Sequence, residues 1–286
     1  MLNLTDMQTI RALAKRYDFS FSKGLGQNFL IDPEVCPAIA EYGIPEKSCG
    51  VLEIGTGFGV LTQQLALRSE QVAAVEVDRR LAPVLEETLA EFDNVRVVWQ
   101  DIMKLDPAAF LREQFGERDV AVCANLPYYI TSPILMHLLE SDAKFVSITV
   151  MVQKEAAERL CAEIGSRAAG AVTAAVQLRG RAEQLFDVPR DSFYPAPNVD
   201  SAVIRITPYA EPLCTPDELK NVLRIVKAGF AQRRKTALNA LSGGLSLPKE
   251  QIAAALAACG LAENVRFEQL DAETLLKLGR AVSPMD

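Results

Sequence analysis

A short apolar run, Val51-Leu52-Glu53-Ile54, passes directly into Gly55-Thr56-Gly57-Phe58-Gly59, and a helical pattern from about Val60 to Arg68 follows. Strand, glycine turn and helix in that order open a doubly wound α/β sheet, and the glycines let the backbone approach a ligand over the first strand. The spacing Gly-x-Gly-x-Gly departs from the dinucleotide fingerprint Gly-x-Gly-x-x-Gly, so the turn alone names no ligand. The next apolar run, Gln71 to Val77, adds information. It carries Glu76 and is followed by Asp78, an acid about 20 residues beyond the glycines, where such sheets bind ribose hydroxyls. Two carboxylate oxygens suit two vicinal hydroxyls.

The alternation continues. A helix from Arg80 to about Phe92 leads to a third strand, Val95 to Gln100, closed by Asp101 and Ile102. In the same sheet that acid can accept from an exocyclic adenine amine while Ile102 packs on the ring. The fourth strand, Val120 to Ala124, ends in Asn125-Leu126-Pro127-Tyr128. The Asn125 side-chain oxygen and a backbone carbonyl at the proline turn, assigned to Pro127, are pure acceptors that can hold the two hydrogens of an NH₂ group. Tyr128 offers a ring for a flat base to stack on. A bare Asn-x-Pro-aromatic is equally what a strand end followed by a proline turn looks like. No Gly-x-x-x-x-Gly-Lys loop is present to cradle a triphosphate, which favours S-adenosylmethionine over ATP along this edge.

A fifth strand spans Lys144 to Val152. Ala174 to Val188 and Val199 to Ile206 read as an antiparallel pair around the proline-stiffened loop Pro189 to Pro197, from which Phe193 or Tyr194 can be held over a substrate ring. Pro208 to Pro216 breaks the pattern, and the chain is helical from about Asp217. The expected organisation is a domain over 1–207 and a helical domain over 208–286. Near the start, Phe19 to Leu30 reads as a loop whose Gln27 and Asn28 amides can close over a ligand.

The 49% hydrophobic and 23% charged residues are those of an ordinary globular protein. Met1 to Asp6 lacks the basic region and apolar core of a leader, and no stretch reaches the roughly 18 apolar residues of a membrane span. A cytoplasmic protein without a membrane partner is expected. The six cysteines are widely spaced and His137 is the only histidine, so no metal site is expected. His137, set among Leu135, Met136, Leu138 and Leu139, reads as structural. A net charge of −7 opposes nucleic-acid binding, but Leu219 to Pro248 contains no Asp or Glu and carries Lys220, Arg224, Lys227, Arg233, Arg234 and Lys235. A locally basic face on an acidic protein can still dock on phosphate.

Gly26-Gln27-Asn28-Phe29-Leu30, Glu53-Ile54-Gly55-Thr56-Gly57, Asn125-Leu126-Pro127-Tyr128, Val152-Gln153-Lys154-Glu155, Phe193 to Val203, and Phe230 to Thr236 follow one another in an order that resembles the ribosomal RNA adenine dimethyltransferases. The Gln-Arg-Arg-Lys-Thr run and the leucine of Asn-Leu-Pro are more similar to the KsgA (RsmA) branch, acting on small-subunit RNA, than to the branch acting on large-subunit RNA. The chain departs from these relatives at Ala169-Gly170-Ala171-Val172-Thr173, where they often read Tyr-Gly-x-Leu-Ser.

The resemblance implies a Rossmann-like class I S-adenosylmethionine-dependent methyltransferase sheet with a small helical RNA-binding domain. It implies dimethylation at N6 of two adjacent adenines in a hairpin loop near the 3′ end of 16S rRNA, on the immature 30S subunit, by a monomer. By position, Asn28 and Leu30 would touch the cofactor, Gly55 and Gly57 would lie against its methionine end, Glu76 would bind ribose, and Asp101 the adenine amine. Asn125 would border cofactor and target, with Pro127 and Tyr128 completing the catalytic group, Phe193 stacking on the base, and Arg233 and Arg234 holding RNA. Two alternatives remain beside it: an RNA-docking assembly factor with secondary catalysis, and a large-subunit RNA methyltransferase.

Overall fold

The computed structural model describes residues 2–20 and 27–282; Gly24 and Gly26 of the N-terminal loop lie outside the described residues. The elements in chain order are α1 (Met7–Arg16), β1 (Phe29–Leu30), α2 (Val35–Gly43), β2 (Gly50–Ile54), α3 (Val60–Arg68), β3 (Gln71–Glu76), α4 (Ala82–Thr88), β4 (Val95–Trp99), α5 (Pro107–Phe115), β5 (Val120–Asn125), α6 (Thr131–Glu140), β6 (Ser147–Gln153) and α7 (Lys154–Leu160). There follow α8 (Ala171–Arg179), β7 (Gly180–Val188), β8 (Phe193–Tyr194), β9 (Ser201–Pro208), α9 (Pro216–Phe230), α10 (Ala237–Leu245), α11 (Lys249–Ala258) and α12 (Ala272–Ala281). Among the described residues no helix is long and apolar enough to cross a membrane.

Seven strands form one sheet in the order β4-β3-β2-β5-β6-β9-β7. β2 pairs in parallel with both β3 and β5, β3 with β4, and β5 with β6, while β9 runs antiparallel to β6. Parallel strands with helices on both faces are apolar throughout, not alternating. All five residues of β2 are buried, and the side chains of Val51 and Leu52 are wholly enclosed. Each such side chain contributes roughly 1.5–3 kcal/mol relative to exposure. The chain travels outward from β2 through β3 to β4, then returns to the other flank of β2 with β5. This reversal places a topological switch point, and hence a crevice at the strand carboxyl ends, between β2 and β5.

The chain divides into two compact units, one of residues 1–157 and 183–207, the other of 158–182 and 208–286. The expected span 1–207 is therefore interrupted. So is the expected strand from Ala174, because Ala171–Arg179 is the helix α8 and the strand begins only at Gly180. The reason lies at the start of α8. Gly170 N–H donates to the Thr173 hydroxyl at 2.9 Å, which in turn donates to the Arg159 carbonyl at 2.7 Å. A capped helix start overrides the strand preference of the valines that follow. α8 then packs on α9, the central helix of the second unit, which also packs against α10 and α12.

In the first unit, Phe29 and Leu30 face opposite ways, as neighbours in a strand do. Phe29 stacks against Phe58, ring centroids 4.6 Å apart, in a core built with Ile10 and Leu13 of α1. Leu30 joins the core of α2 and α3. Two cores thus grip the N-terminal loop.

Candidate active site

A cavity of about 240 Å³ opens at the switch point. Its walls bring together Asn28 and Leu30 of the N-terminal loop, Gly55 and Gly57 after β2, Glu76 at the end of β3, Asp101 after β4, and Asn125, Pro127 and Tyr128 after β5. Nine of the residues singled out in the sequence, separated by up to a hundred positions, therefore line one space.

The turn after β2 works because Gly55 and Gly57 hold φ of +79° and +55°, a region that L side chains rarely enter. A Cβ on Gly57 would lie 3.1 Å from the Phe29 ring, whereas one on Gly55 would meet nothing within 4 Å. Space beside Gly55 is therefore open to a ligand that can approach the backbone closely.

Glu76 is 6% exposed, and both its oxygens are in use. Oε1 accepts from the N–H groups of Val77 and Asp78, each at 2.8 Å, and Oε2 accepts from Thr56 N–H at 2.9 Å and from the Thr56 hydroxyl at 3.0 Å. Four donors match the roughly four lone-pair positions of a carboxylate. Glu76 thus ties the glycine turn to the end of β3. Asp78, two residues further and beyond the end of β3, holds the guanidinium of Arg80 and accepts from the Gln27 amide at 2.9 Å. The Arg80 guanidinium keeps the Asp78 carboxyl below its ordinary range. The Gln27 amide, which the sequence leaves open between a connection and a group closing over a ligand, is held by Asp78, and Gln27 is also a wall of the cavity. Asp101 Oδ1 accepts from Met103 N–H at 3.0 Å, and its Oδ2 has no partner among the described residues.

The end of β5 is different. The Asn125 side-chain amide makes no hydrogen bond among the described residues. The Pro127 carbonyl, expected as the second acceptor, already accepts from Ile130 N–H at 3.2 Å and from the Thr131 hydroxyl at 3.1 Å. Both lone pairs are spent on the turn that starts α6. The carbonyl next to it, of Leu126, accepts no hydrogen bond among the described residues, and Leu126 lines the cavity. Leu126 is the residue that sequence reasoning passed over, because its apolar side chain hides a useful backbone group.

Tyr128 is half-buried, its hydroxyl 2.6 Å from that of Ser201 on β9, and burial raises its phenol above the ordinary value. The phenol is therefore held in its neutral form. Nothing local to Ser201 announces this contact; it follows from the register in which Ser201 pairs with Gln153. His137 Nε2 lies 2.9 Å from the Leu105 carbonyl, an acceptor only, so this nitrogen carries the proton and the imidazole links α6 to the turn before α5.

Phe193 is not a wall of this cavity. It pairs with Leu30 across β1 and β8, is 3% exposed, and belongs to the core with Cys36, Val188 and Val203. A ring so enclosed has no face left for a base. Strand alternation instead leaves its neighbour Tyr194 half-buried, with the Arg11 guanidinium 5.6 Å from the ring centroid. In the second unit the two expected RNA-binding arginines diverge. Arg233 is paired with Glu268 at 2.9 Å and donates to the Arg167 carbonyl at 2.9 Å, while Arg234 is exposed.

The sequence profile of the family described as ribosomal RNA adenine dimethylase matches residues 18–282. The chain belongs to that family. It is similar to the ribosomal RNA small subunit methyltransferases A of Geobacillus thermodenitrificans, 44% identical over 96% of this chain and 95% of the relative, and of Streptococcus gordonii, 42% identical over 98% of each. Among solved structures it resembles a dimethyladenosine transferase from Plasmodium falciparum, with TM-score 0.69, 27% identity, and 87% of this chain and 95% of that one covered. It also resembles the 23S rRNA methyltransferase ErmE, with TM-score 0.64, 30% identity and coverage of 89% and 99%. The sheet is thus the doubly wound sheet that the strand pattern predicts and the Rossmann-like methyltransferase sheet that the resemblance implies, and the protein is an enzyme of ribosomal RNA adenine methylation.

Proposed function

We propose that the protein uses S-adenosyl-L-methionine to dimethylate N6 of two adjacent adenines in a hairpin loop near the 3′ end of 16S rRNA, acting as a cytoplasmic monomer on the immature 30S subunit. The observation that carries this reading is the pair of unpartnered acceptors at the end of β5, Asn125 and the Leu126 carbonyl, in a cavity whose other walls are a glycine turn and two carboxylates. Small-subunit methyltransferases among the relatives above 40% identity favour 16S over large-subunit RNA.

The residues present fit the cofactor. The room beside Gly55, the partner-free oxygen of Asp101, and the apolar Ile102 and Leu30 suit, in turn, a methionine chain, an adenine amine and an adenine ring. Glu76 would take the ribose by sharing acceptor positions now held by Thr56. Bound there, the cofactor supplies an electrophilic methyl group on a sulfonium.

The chain's own residues then do three things. In the first transfer Asn125 and the Leu126 carbonyl accept the two N6 hydrogens, and in the second one of them accepts the single hydrogen that is left, which favours a pyramidal, more amine-like nitrogen whose lone pair is less delocalised into the ring. Tyr128, fixed through Ser201, holds the base by its face. Both effects are catalysis by position and electrostatics. No strong base is needed, because the nitrogen becomes acidic as it takes the methyl group and then releases its proton to water. A target in a loop keeps the cost of flipping the base low.

The test is to express the protein in a strain lacking its own enzyme and map N6,N6-dimethyladenine on both ribosomal RNAs. Two adjacent dimethylated adenines in the small-subunit RNA are expected. Modification confined to the large-subunit RNA would overturn the assignment.

A further inference from the structure

Tyr129 follows Tyr128 directly and has the opposite environment. It is 61% exposed, more than any other large apolar side chain among the described residues, and it lines the cavity. It has no hydrogen-bond or ring partner among the described residues. A single exposed tyrosine is ordinary on a protein surface. Two features make this one different. Residues Tyr128–Ile130 form a 3₁₀ turn, in which consecutive side chains diverge by about a third of a circle, so one tyrosine is turned to Ser201 and the next outward. The turn is also rigid, since Ile130 N–H and the Thr131 hydroxyl both clamp the Pro127 carbonyl. A flat ring carried on a clamped backbone at the rim, one residue from the surface that holds the target, has less freedom to lose on stacking than one on an unanchored loop.

Resting on the function proposed above, we propose that Tyr129 is a substrate-positioning residue: its ring stacks on the base next to the adenine in the cavity, which in the expected substrate is the second adenine to be methylated. Tyr128 takes the base being modified and Tyr129 parks its neighbour. Stacking needs the ring and not the hydroxyl, and it acts on the RNA and not on the cofactor.

The wild type, Tyr129→Ala and Tyr129→Phe are compared in two measurements. The first is steady-state methylation of a small-subunit RNA substrate. Tyr129→Ala is expected to raise KM for RNA about tenfold, with kcat within about twofold and cofactor affinity unchanged, and Tyr129→Phe is expected to restore KM. The second is fluorescence of a short single-stranded RNA in which 2-aminopurine stands beside an adenine. Quenching on binding is expected for the wild type and Tyr129→Phe, and its loss for Tyr129→Ala. Equal KM values and equal quenching for wild type and Tyr129→Ala would overturn the proposal, as would a Tyr129→Phe variant as impaired as Tyr129→Ala. A wild type that quenches through Tyr129 yet leaves small-subunit RNA unmethylated would overturn the proposed substrate and leave the stacking role standing. A wild type that binds no such RNA yet dimethylates small-subunit RNA would overturn the stacking role and leave the proposed substrate standing.

Discussion

At the ends of β2 and β3 nearly every polar group is already engaged by the protein: Glu76 accepts four hydrogen bonds and Asp78 is held by Arg80 and Gln27. At the end of β5, a few residues away across the same cavity, Asn125 and the Leu126 carbonyl have no partner among the described residues. The contrast separates two tasks. The first side must have one shape before any ligand arrives, and hydrogen bonds made during folding provide it. On the function proposed above, the second recognises a base through acceptors that the fold leaves without a protein partner, which makes its interactions discriminating.

Removing the free acceptor should have the largest effect. Asn125→Ala is expected to lower kcat for methyl transfer by about 100- to 1,000-fold, while titration calorimetry finds cofactor affinity within about threefold of wild type. Full activity would mean that the two sides do not divide the labour.

Glu53 is the exception on the satisfied side. It sits on β2 between Ala74 and Cys123, is fully enclosed, and neither oxygen has a partner. Burial pushes its carboxyl up to about 8 from an ordinary 4.5, against a pull from the neighbouring Thr62 hydroxyl, which itself lies outside hydrogen-bond geometry. The folded chain therefore holds this proton more tightly than the unfolded chain. The associated stability is complete below about pH 4.5 and is lost as pH rises towards 8. Glu53→Gln cannot ionise, so its stability relative to wild type should grow by about 3 kcal/mol between pH 5 and 8 in urea unfolding. A difference independent of pH would show the carboxylate to be charged in the fold.

Loosening the preformed side comes next. Glu76→Gln swaps two acceptors for one acceptor and one donor, which then faces the Val77 and Asp78 N–H groups or Thr56. Cofactor affinity is expected to fall by about 30-fold, the equivalent of about 2 kcal/mol, with a lower thermal midpoint. Equal loss in Asn125→Ala and Glu76→Gln would erase the comparison. The smallest effects belong to the second unit. Arg234→Glu is expected to weaken RNA binding a few-fold at low salt and hardly at all at high salt. Arg233→Glu, placed against Glu268, should also lower thermal stability. Identical salt slopes for wild type and Arg234→Glu would remove that side chain from the RNA interface.

Much of the site was legible because it is local. The glycine turn follows its strand without a gap, and the acids stand one per strand end, so alternation alone places Gly55, Gly57, Glu76, Asp101 and Asn125 along one edge. A strand that feeds a helix has its carboxyl end at the loop that joins them, whatever the rest of the chain does. The existence of the cavity and its polar inventory were therefore determined by the sequence itself.

Which of those groups are free was decided by tertiary structure, because occupancy depends on partners distant along the chain. The basic run around Arg233 contains no acid, yet the fold brings Glu268 from 35 positions away. Phe193 has the composition of a stacking residue, yet its register against Leu30 turns it into the core and leaves Tyr194 outside. The Pro127 carbonyl is consumed by the cap of α6, and the valines after Gly170 become helical once Thr173 closes on Arg159. Hydrogen bonds and strand register are pairwise facts, and a chain read one residue at a time lists candidates for both sides of each pair without stating which pairs form.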